Sequence, residues 1–333
     1  MKKIFTFIIL FIVTNTIYTQ PINWVDVTGN YSLPQGVKIF MGERINPALK
    51  AWYFEVDMNN PSVAIRAYLS DVPGGREGLV PFVQRVGAIA GINGGYFDMQ
   101  TGASYSAVSY DDNLFSRNIS SVVRDGKTYP LTRSFFGIKD TREMSVDWVY
   151  HFGNRVIDIH KFDSPIQNQV GTPGQLPSPA TGKRYYELMT GIGGGPTLVK
   201  NGNVHITYNE EVFWGSGVGL TNRDPRTAVG FTPDNKVIML VADGRQTASE
   251  GVNLNELANI VIDLGCVEAM NLDGGGSTQM ALGNQLINRP EGGTFQRPVA
   301  SILAIVSADS AAFLPPNFLN YKIDTEDDEC TIT

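Results

Sequence analysis

Two aspartates, each followed at once by a glycine, stand where apolar runs end in the C-terminal half of the chain. Asp243 follows the run 237–242, and Asp273 follows Asn271-Leu272 and precedes three glycines. A strand that ends in this way brings its carboxylate to the edge of a sheet, and the glycine lets backbone or ligand come close. Two carboxylates that meet at one site can act as acid, base or nucleophile. Because Asp-Gly is also a common turn pair, the spacing alone leaves a structural role open.

The segment between the two aspartates has clear helix signals. Asn253 stands at an N-cap position with Glu256 three residues later, as in a capping box, and Gly265 stands where a helix often ends. Val252 and Leu257 occupy the positions of a hydrophobic staple. A strand–helix–strand crossover makes its two strands parallel, so we expect both carboxylates at the same end of one sheet.

Short motifs rich in glycine and polar residues recur along residues 86–306. They are Ala90-Gly-Ile-Asn-Gly-Gly-Tyr-Phe, Gly194-Gly-Pro-Thr-Leu-Val-Lys-Asn-Gly, Arg226-Thr-Ala-Val-Gly, Val241-Ala-Asp-Gly-Arg-Gln, Gly251-Val-Asn-Leu-Asn-Glu-Leu, Asn271-Leu-Asp-Gly-Gly-Gly-Ser and Arg297-Pro-Val-Ala. Together and in this order they resemble the phosphodiester glycosidase family. The resemblance implies a hydrolase that breaks the bond between the anomeric carbon of a sugar and a phosphodiester oxygen. It also implies that Asp273 and Asp243 are its catalytic carboxylates.

The substrate class implied by this resemblance explains why arginines would stand near the carboxylates. The leaving group would be a phosphate monoester, whose second pKa is about 6, so its growing charge needs to be held more than it needs a proton. The planar fork of arginine matches phosphate oxygens. Arg226 and Arg297 match family motif positions, and Arg245 follows the Asp243-Gly244 turn, so all three are predicted to bind phosphate. The alternative for each is an ion pair with a structural role.

The glycine turns supply a third group of candidates, because successive backbone N–H groups can hold an anion or a hydroxyl. The predicted substrate-binding residues are Asn93, Gly94, Gly194, Gly195, Gly274, Gly275, Ser277 and Thr278. The alternative is tight-turn geometry alone. Tyr96, Phe97 and Trp214 are candidates for stacking on a sugar ring, although core packing suits Phe97 better. The segment 167–183, rich in Pro, Gly and Thr, is predicted as an exposed loop or lid.

Other site chemistries have little support in the sequence. The three histidines show no metal-ligand spacing, and the glycine-rich turns lack the spacing of a dinucleotide or nucleotide-phosphate loop. No cofactor is required, and a calcium or magnesium site that uses Glu250, Asp224 or the acids of the C-terminal tail stays open. The pI near 5.1 argues against a nucleic-acid partner.

The whole chain has 333 residues, of which 42% are hydrophobic, a composition typical of a globular protein. Two lysines followed by the apolar run 4–13 predict a signal peptide over residues 1–19, and hence a secreted or periplasmic protein without a stable membrane anchor. A retained anchor helix is the alternative. We further predict a β-rich section over 20–84, the phosphodiester glycosidase domain over 85–309 and a tail over 310–333. The expected fold class is mixed α/β (α+β), a sheet with flanking helices.

Two other functions remain open at this level. One is a phosphodiesterase that cleaves the P–O bond, and the other is an envelope protein that binds exopolysaccharide without catalysis. In each case the partner is a carbohydrate. A disulfide between Cys266 and Cys330 would need an oxidising compartment.

Overall fold

The computed structural model describes residues 20–308 and has the expected mixed fold, mostly β with two α-helices in this range. The helices are Leu79–Arg85 (α1) and Leu254–Asp263 (α2), and short 3₁₀ turns cover Thr28–Asn30, Val156–Asp158, Pro179–Thr181 and Gly275–Ser277. The predicted signal peptide, the predicted tail and Cys330 lie outside the described residues. Within them, neither helix has the length and apolar character needed to cross a membrane.

The strands differ in length from two to nine residues. In chain order they are Asn23–Asp26 (β1), Val37–Arg44 (β2), Leu49–Asp57 (β3), Val63–Leu69 (β4), Ala90–Asn93 (β5), Val108–Tyr110 (β6), Asn113–Ser116 (β7), Ser121–Arg124 (β8), Lys127–Pro130 (β9), Arg133–Lys139 (β10), Met144–His151 (β11), Ile159–Phe162 (β12), Lys183–Arg184 (β13), Leu188–Gly193 (β14), Thr197–Lys200 (β15), Asn203–Val204 (β16), Arg226–Phe231 (β17), Lys236–Ala242 (β18), Glu268–Asn271 (β19), Met280–Leu282 (β20), Gln285–Leu286 (β21) and Ser301–Ser307 (β22).

These strands form three main sheets and one hairpin. The eight-stranded sheet has the order β1-β2-β3-β18-β17-β19-β15-β16, and the seven-stranded sheet has the order β13-β12-β11-β10-β14-β6-β7. The five-stranded sheet has the order β21-β20-β5-β22-β4, and β8 pairs with β9 alone. The predicted β-rich section does not form a sheet of its own, because β2 and β3 extend the sheet of β18 and β4 pairs with β22.

The unit β18-α2-β19 confirms the predicted crossover and adds one strand to it. Both β18 and β19 pair antiparallel with β17, which lies between them, so they run parallel to each other without touching. Asn253 caps α2, since its side chain accepts from the N–H of Glu256 and the Glu256 carboxylate accepts from the N–H of Asn253. Such a cap stabilises a helix by about 1 kcal/mol.

A common core joins the sheets. Its buried side chains include Phe54 and Met239 of the eight-stranded sheet, Phe136 of the seven-stranded sheet and Ile92 and Leu303 of the five-stranded sheet. Burying one such side chain stabilises the fold by about 1.5–3 kcal/mol. Helix α2 packs its apolar face on the eight-stranded sheet, and α1 packs on the five-stranded sheet. The sheet edges that carry the polar motifs are therefore held on a rigid frame.

Candidate active site

A cavity of about 690 Å³ opens at the sheet edge where β18 and β19 end and β17 begins. The lining from this edge includes Asp273, Gly274 and Arg226. Further lining residues are Ile119, Ser121, Val122, Arg124, Arg133 and residues of the loop 213–218. The predicted loop or lid, residues 167–183, is mostly exposed and contributes nothing to the lining among the described residues.

Asp273 lies in the cavity wall two residues beyond β19, and its backbone is fixed on both sides. Asn93 Nδ2 donates to the carbonyl of Asp273 at 2.7 Å, and the N–H of Asp273 donates to the carbonyl of Gly94 at 3.1 Å. Burial raises the pKa of Asp273 to about 6, against the lowering effects of the Ser277 hydroxyl, the Gly274 N–H and the charge of Arg297. A carboxyl group with this pKa can gain or lose its proton near neutral pH.

Asp243 lies at the same sheet edge but does not line the cavity. Its side chain is 2% exposed, and both carboxylate oxygens are already bonded. Asn288 Nδ2 donates to Oδ1 at 2.8 Å, and the N–H of Arg289 donates to Oδ2 at 3.1 Å. Burial raises its pKa to about 6 as well. Its contacts therefore give Asp243 the role of holding the segment 288–289.

The inserted strand β17 also separates the two aspartates. Two strand spacings of about 4.8 Å place the backbones of Asp243 and Asp273 about 10 Å apart. The two carboxylates stand about 5 Å apart in a retaining glycosidase and about 6.5–9.5 Å apart in an inverting one. The crossover brings both residues to one edge, as predicted, but only Asp273 lines the cavity, whereas the Asp243 carboxylate is bonded to residues 288–289.

Arg226, at the start of β17, lines the cavity and at the same time ties down the loop beside it. Its Nη2 donates to the carbonyls of Gly219 at 2.8 Å and Asn222 at 3.3 Å, and its Nε donates to the carbonyl of Val252 at 3.3 Å. The Asp224 carboxylate lies 3.4 Å from Nη2. The side chain is 3% exposed, and its hydrogen bonds hold residues 219–224 in place. Arg226 therefore has a structural role in addition to any contact with a ligand.

Arg245 and Arg297 reach the cavity with more freedom. Arg245 pairs with Asp224 at 2.9 Å and with Glu291 at 2.6 Å, and its side chain is 46% exposed. Arg297 has one long ion pair, to Glu291 at 4.0 Å, and its side chain is 30% exposed. Arg297 also lowers the pKa of Asp273, so its charge is felt at that carboxyl group. Of these arginines, Arg297 is the one best placed to bind an anion beside Asp273.

The predicted substrate-binding residues divide into two groups. Gly194, Gly274 and Gly275 line the cavity. Gly275 has φ +59° and packs against the Arg245 guanidinium. The others are buried and are not part of the cavity lining, so their predicted contact with substrate stays a prediction; they are Asn93, Gly94, Gly195, Ser277 and Thr278.

Buried residues of the motifs hold the catalytic edge in place. Asn93 Oδ1 accepts from the hydroxyl of Thr227 at 2.7 Å and from the N–H of Gln279 at 3.1 Å, which links β5 to β17. Gly276 leaves room for the Arg297 guanidinium, because a Cβ atom there would lie 2.2 Å from Arg297 Nη2 and would displace that group. Part of the glycine and asparagine content of the motifs is therefore explained by packing around the charged groups.

Comparison with known proteins agrees with this geometry. The profile of the family described as phosphodiester glycosidase matches residues 86–306, about two thirds of the chain. The chain belongs to the phosphodiester glycosidase family. The sequence resemblance is thus confirmed, and with it the assignment to a family of enzymes.

Individual relatives of this phosphodiester glycosidase domain are distant. N-acetylglucosamine-1-phosphodiester alpha-N-acetylglucosaminidase of Mus musculus is 28% identical over 205 residues, 60% of this chain and 32% of the mouse protein. The chain therefore spans about a third of the length of that relative. The catalytic domain of the zebrafish enzyme of the same name has a TM-score of 0.56 and 22% identity, over 87% of this chain and 88% of that one. A hypothetical protein from Synechocystis has a TM-score of 0.57 and 18% identity, over 86% and 64% of the two chains. These two likenesses establish the fold.

Two further arginines of the phosphodiester glycosidase domain line the cavity and were missed in the sequence. Arg133 lies at the start of β10, where it is buried, stands over the ring of Phe213 at 4.3 Å and donates to the carbonyl of Glu211 at 2.5 Å. Arg124 donates to the carbonyl of Trp214 at 3.0 Å. Neither belongs to a glycine motif, so nothing local in the sequence marks them. Together with Arg226, Arg245 and Arg297 they give the cavity five arginines against two aspartates, Asp224 and Asp273.

The aromatic candidates also have defined places. The Tyr96 hydroxyl lies 2.7 Å from the carbonyl of Gly195 and accepts from Asn271 Nδ2 at 2.7 Å, so it braces the wall of the cavity that it lines. Phe97 lines the cavity and packs in the core, and Trp214 packs edge-on to Tyr129. In residues 20–308, no three His, Cys, Asp or Glu side chains are grouped as metal ligands.

Proposed function

We propose that this protein hydrolyses a glycosyl-1-phosphodiester at the bond between the anomeric carbon and the phosphate oxygen. The observation that carries the proposal is the Asp273 carboxyl group, with its pKa of about 6, in a cavity lined by five arginines. A carboxylate beside cationic groups suits a substrate that has both a reactive sugar carbon and a negative leaving group. The excess of arginines in the cavity does not follow from the overall charge of the protein, because the whole chain has a net charge of −7.

The arginines take over the task that a strong general acid has in other glycosidases. When the C1–O bond breaks, its electron pair stays on the phosphate oxygen, and the dianion that forms is stabilised by guanidinium groups. Arg297 is the main phosphate contact in this proposal, with Arg245 beside it. Arg226 keeps the loop 219–224 in place and adds positive charge from the wall.

Asp273 acts on the sugar side as a carboxylate. It either takes a proton from the water that attacks the anomeric carbon or attacks that carbon itself and is released by water in a second step. In both cases one water is consumed, and the products are the free sugar and a phosphate monoester. The names of the relatives favour N-acetylglucosamine as the sugar.

The decisive experiment is hydrolysis of N-acetylglucosamine 1-(methyl phosphate) in ¹⁸O-labelled water. We expect the label in the released sugar, because water replaces the phosphate at carbon 1. Label in methyl phosphate would contradict the proposal and favour the rival phosphodiesterase that cleaves the P–O bond. A protein that cleaves neither bond but binds glycan would instead be the non-catalytic rival.

Two variants then test the residue roles. Asp273→Asn should lower kcat at least about a thousandfold while the protein stays folded, because the amide can neither accept a proton nor attack carbon. Arg297→Ala should reduce cleavage of the diester far more than cleavage of an activated neutral glycoside, since only the diester has a phosphate to hold. Equal losses on both substrates would argue against the phosphate role of Arg297.

We also propose that the protein is exported. The support is the basic start and the apolar run 4–13 of the sequence. Mass spectrometry of the protein purified from its native host should find a mature N-terminus close to residue 20, and an intact Met1 would contradict this.

A further inference from the structure

Glu291 is a carboxylate that stands beside the two arginines proposed to bind the phosphate. Its Oε1 lies 2.6 Å from Arg245 Nη1, and its Oε2 lies 4.0 Å from Arg297 Nη2. Both arginines line the catalytic cavity, whereas Glu291 is not among the described residues that line it. The negative charge of Glu291 therefore acts on a ligand through the arginines that it pairs with.

The segment that carries Glu291 is held by hydrogen bonds on both sides of this residue. The N–H of Arg289 donates to Asp243 Oδ2 at 3.1 Å, and Gln246 Nε2 donates to the carbonyl of Arg289 at 2.6 Å. The N–H of Gly292 donates to the same carbonyl at 3.1 Å. Because these bonds fix the backbone next to it, Glu291 is placed beside the arginines by the fold and not only by its own ion pairs.

A carboxylate in such a position has two effects on the binding of an anion. It orients the guanidinium groups, which improves the binding of any phosphate whatever its charge. It also reduces the positive charge that a ligand meets, and this weakens the binding of a dianion more than that of a monoanion, because Coulomb energy is proportional to the charge of the ligand. The two effects predict opposite changes in affinity when Glu291 loses its charge.

The proposed reaction changes the charge of the phosphate in just this way. The diester carries one negative charge, whereas the monoester that leaves carries two at a pH above its second pKa of about 6. A cavity lined by five arginines and two aspartates favours the dianion, and hence the product, over the substrate. Release of product often limits the turnover of an enzyme. An added carboxylate beside the arginines would reduce this preference for the product.

We propose that Glu291 is a specificity-determining residue, which adjusts the charge at the phosphate position to a monoanionic diester and against a dianionic monoester. Asp224 adds a second carboxylate to the same guanidinium, since it pairs with Arg245 at 2.9 Å. Glu291 is the better residue to test, because Asp224 also pairs with Arg226 and thereby has a part in holding the loop 219–224. This inference rests on the proposed function and adds to it the charge of the ligand that the site prefers.

The test measures the binding of two ligands that differ by one methyl group and one charge, N-acetylglucosamine 1-phosphate and its methyl diester. Calorimetric titration at pH 8 is carried out on the Asp273→Asn protein, so that neither ligand is cleaved. We expect an added Glu291→Gln substitution to lower the Kd of the diester about threefold and the Kd of the monoester about tenfold, because doubling the charge of the ligand squares the fold-change.

Two further variants separate charge from geometry. Glu291→Asp keeps the negative charge on a shorter side chain and should leave both Kd values nearly unchanged. Glu143→Gln is the matched control, because it makes the same chemical change in an exposed ion pair, with Lys139 at 2.7 Å, at the end of β10. It should change neither Kd. In the protein that retains Asp273, Glu291→Gln should strengthen inhibition by the product methyl phosphate more than it lowers KM for the methyl diester.

Weaker binding of both ligands in the Glu291→Gln variant would overturn the inference, because the carboxylate would then serve to orient the arginines. Equal fold-changes for the two ligands, or an effect of Glu291→Asp as large as that of Glu291→Gln, would overturn it as well. Absence of binding of both ligands by the Asp273→Asn protein would refute the phosphate position itself, provided that thermal unfolding shows the protein to be folded. The proposed function is judged separately, by cleavage of the diester in the wild-type protein, because the titrations need no turnover.

Discussion

The Asp273 carboxyl group gives up much of its hydration when the chain folds, and the fold stability should reveal this through pH. Its pKa is about 6 in the folded protein against 3.8 for the ordinary group. The folded state therefore holds the proton more tightly than the unfolded state does. The stability from this group is present in full below pH 4 and is lost as the pH rises through 6.

A residue at position 273 that cannot ionise should prevent this loss of folding stability at higher pH. We expect Asp273→Asn to be more stable than the wild-type protein at pH 7.5, and to have less of this advantage at pH 4, in urea unfolding at both values. Asp112→Asn, on an exposed turn with φ +56° that asparagine tolerates well, is the control for the chemical change from Asp to Asn at a surface position. A stability difference for Asp273→Asn that is the same at both pH values would contradict the burial argument.

Arg226 and Arg297 carry the same charge, but their replacement by Ala is predicted to have different effects on the unfolding free energy. Replacement of Arg226 by Ala leaves the carbonyls of Gly219 and Asn222 without their donor and leaves the carbonyl of Val252 with the N–H of Asp224 alone, so the unfolding free energy should fall by about 3 kcal/mol. Arg297→Ala should leave the unfolding free energy nearly unchanged, because that side chain is 30% exposed with one long ion pair. Denaturant unfolding of both variants checks this, and a stable Arg226→Ala protein would refute the fastening role.

At the scale of elements, Asp243 holds the segment that follows β21 through hydrogen bonds. Asp243 bonds Asn288 and Arg289, and the same segment leads on to Glu291 and Arg297 beside the cavity. Asp243→Ala should cost about 2 kcal/mol of stability. It should also raise KM for the diester, because the arginine that binds phosphate loses its support. Hydrogen exchange across residues 286–297 should become faster.

The outcome for Asp243 separates a positioning role from a catalytic one. If the Asp243 variant loses as much kcat as Asp273→Asn does, with KM unchanged, then Asp243 has a catalytic role. A raised KM with unchanged kcat, so that the rate recovers at saturating substrate concentration, is what the positioning role requires.

The crossover explains how much of the site could be predicted. The spacing of Asp243, α2 and Asp273 was enough to place both aspartates at one sheet edge, since crossovers make strands parallel. It could not reveal that β17 would enter between β18 and β19, because strand order depends on pairings far apart in sequence. Arg124 and Arg133 were missed for the same reason: they reach the cavity from β8 and β10, strands that hold none of the motifs.

For the molecule as a whole, the distribution of charge should be visible in salt dependence. The chain is acidic, with a net charge of −7. The cavity, in contrast, is lined by five arginines, and the proposed substrate is an anion. Raising the salt concentration to about 0.5 M shortens the screening length to well under 10 Å. We therefore expect KM for a phosphodiester to rise with salt and KM for a neutral activated glycoside to stay nearly constant. The same salt response for both substrates would show that the arginines do not attract the diester.

The place of β22 has a consequence for how the chain is made. This strand, residues 301–307, lies between β4, residues 63–69, and β5, residues 90–93. During synthesis both earlier strands leave the ribosome with open edges, and their partner follows only after more than two hundred further residues. Such late closure exposes strand edges to other nascent chains. We therefore expect the native fold to form after translation of residue 307, with chaperones shielding β4 and β5 until then.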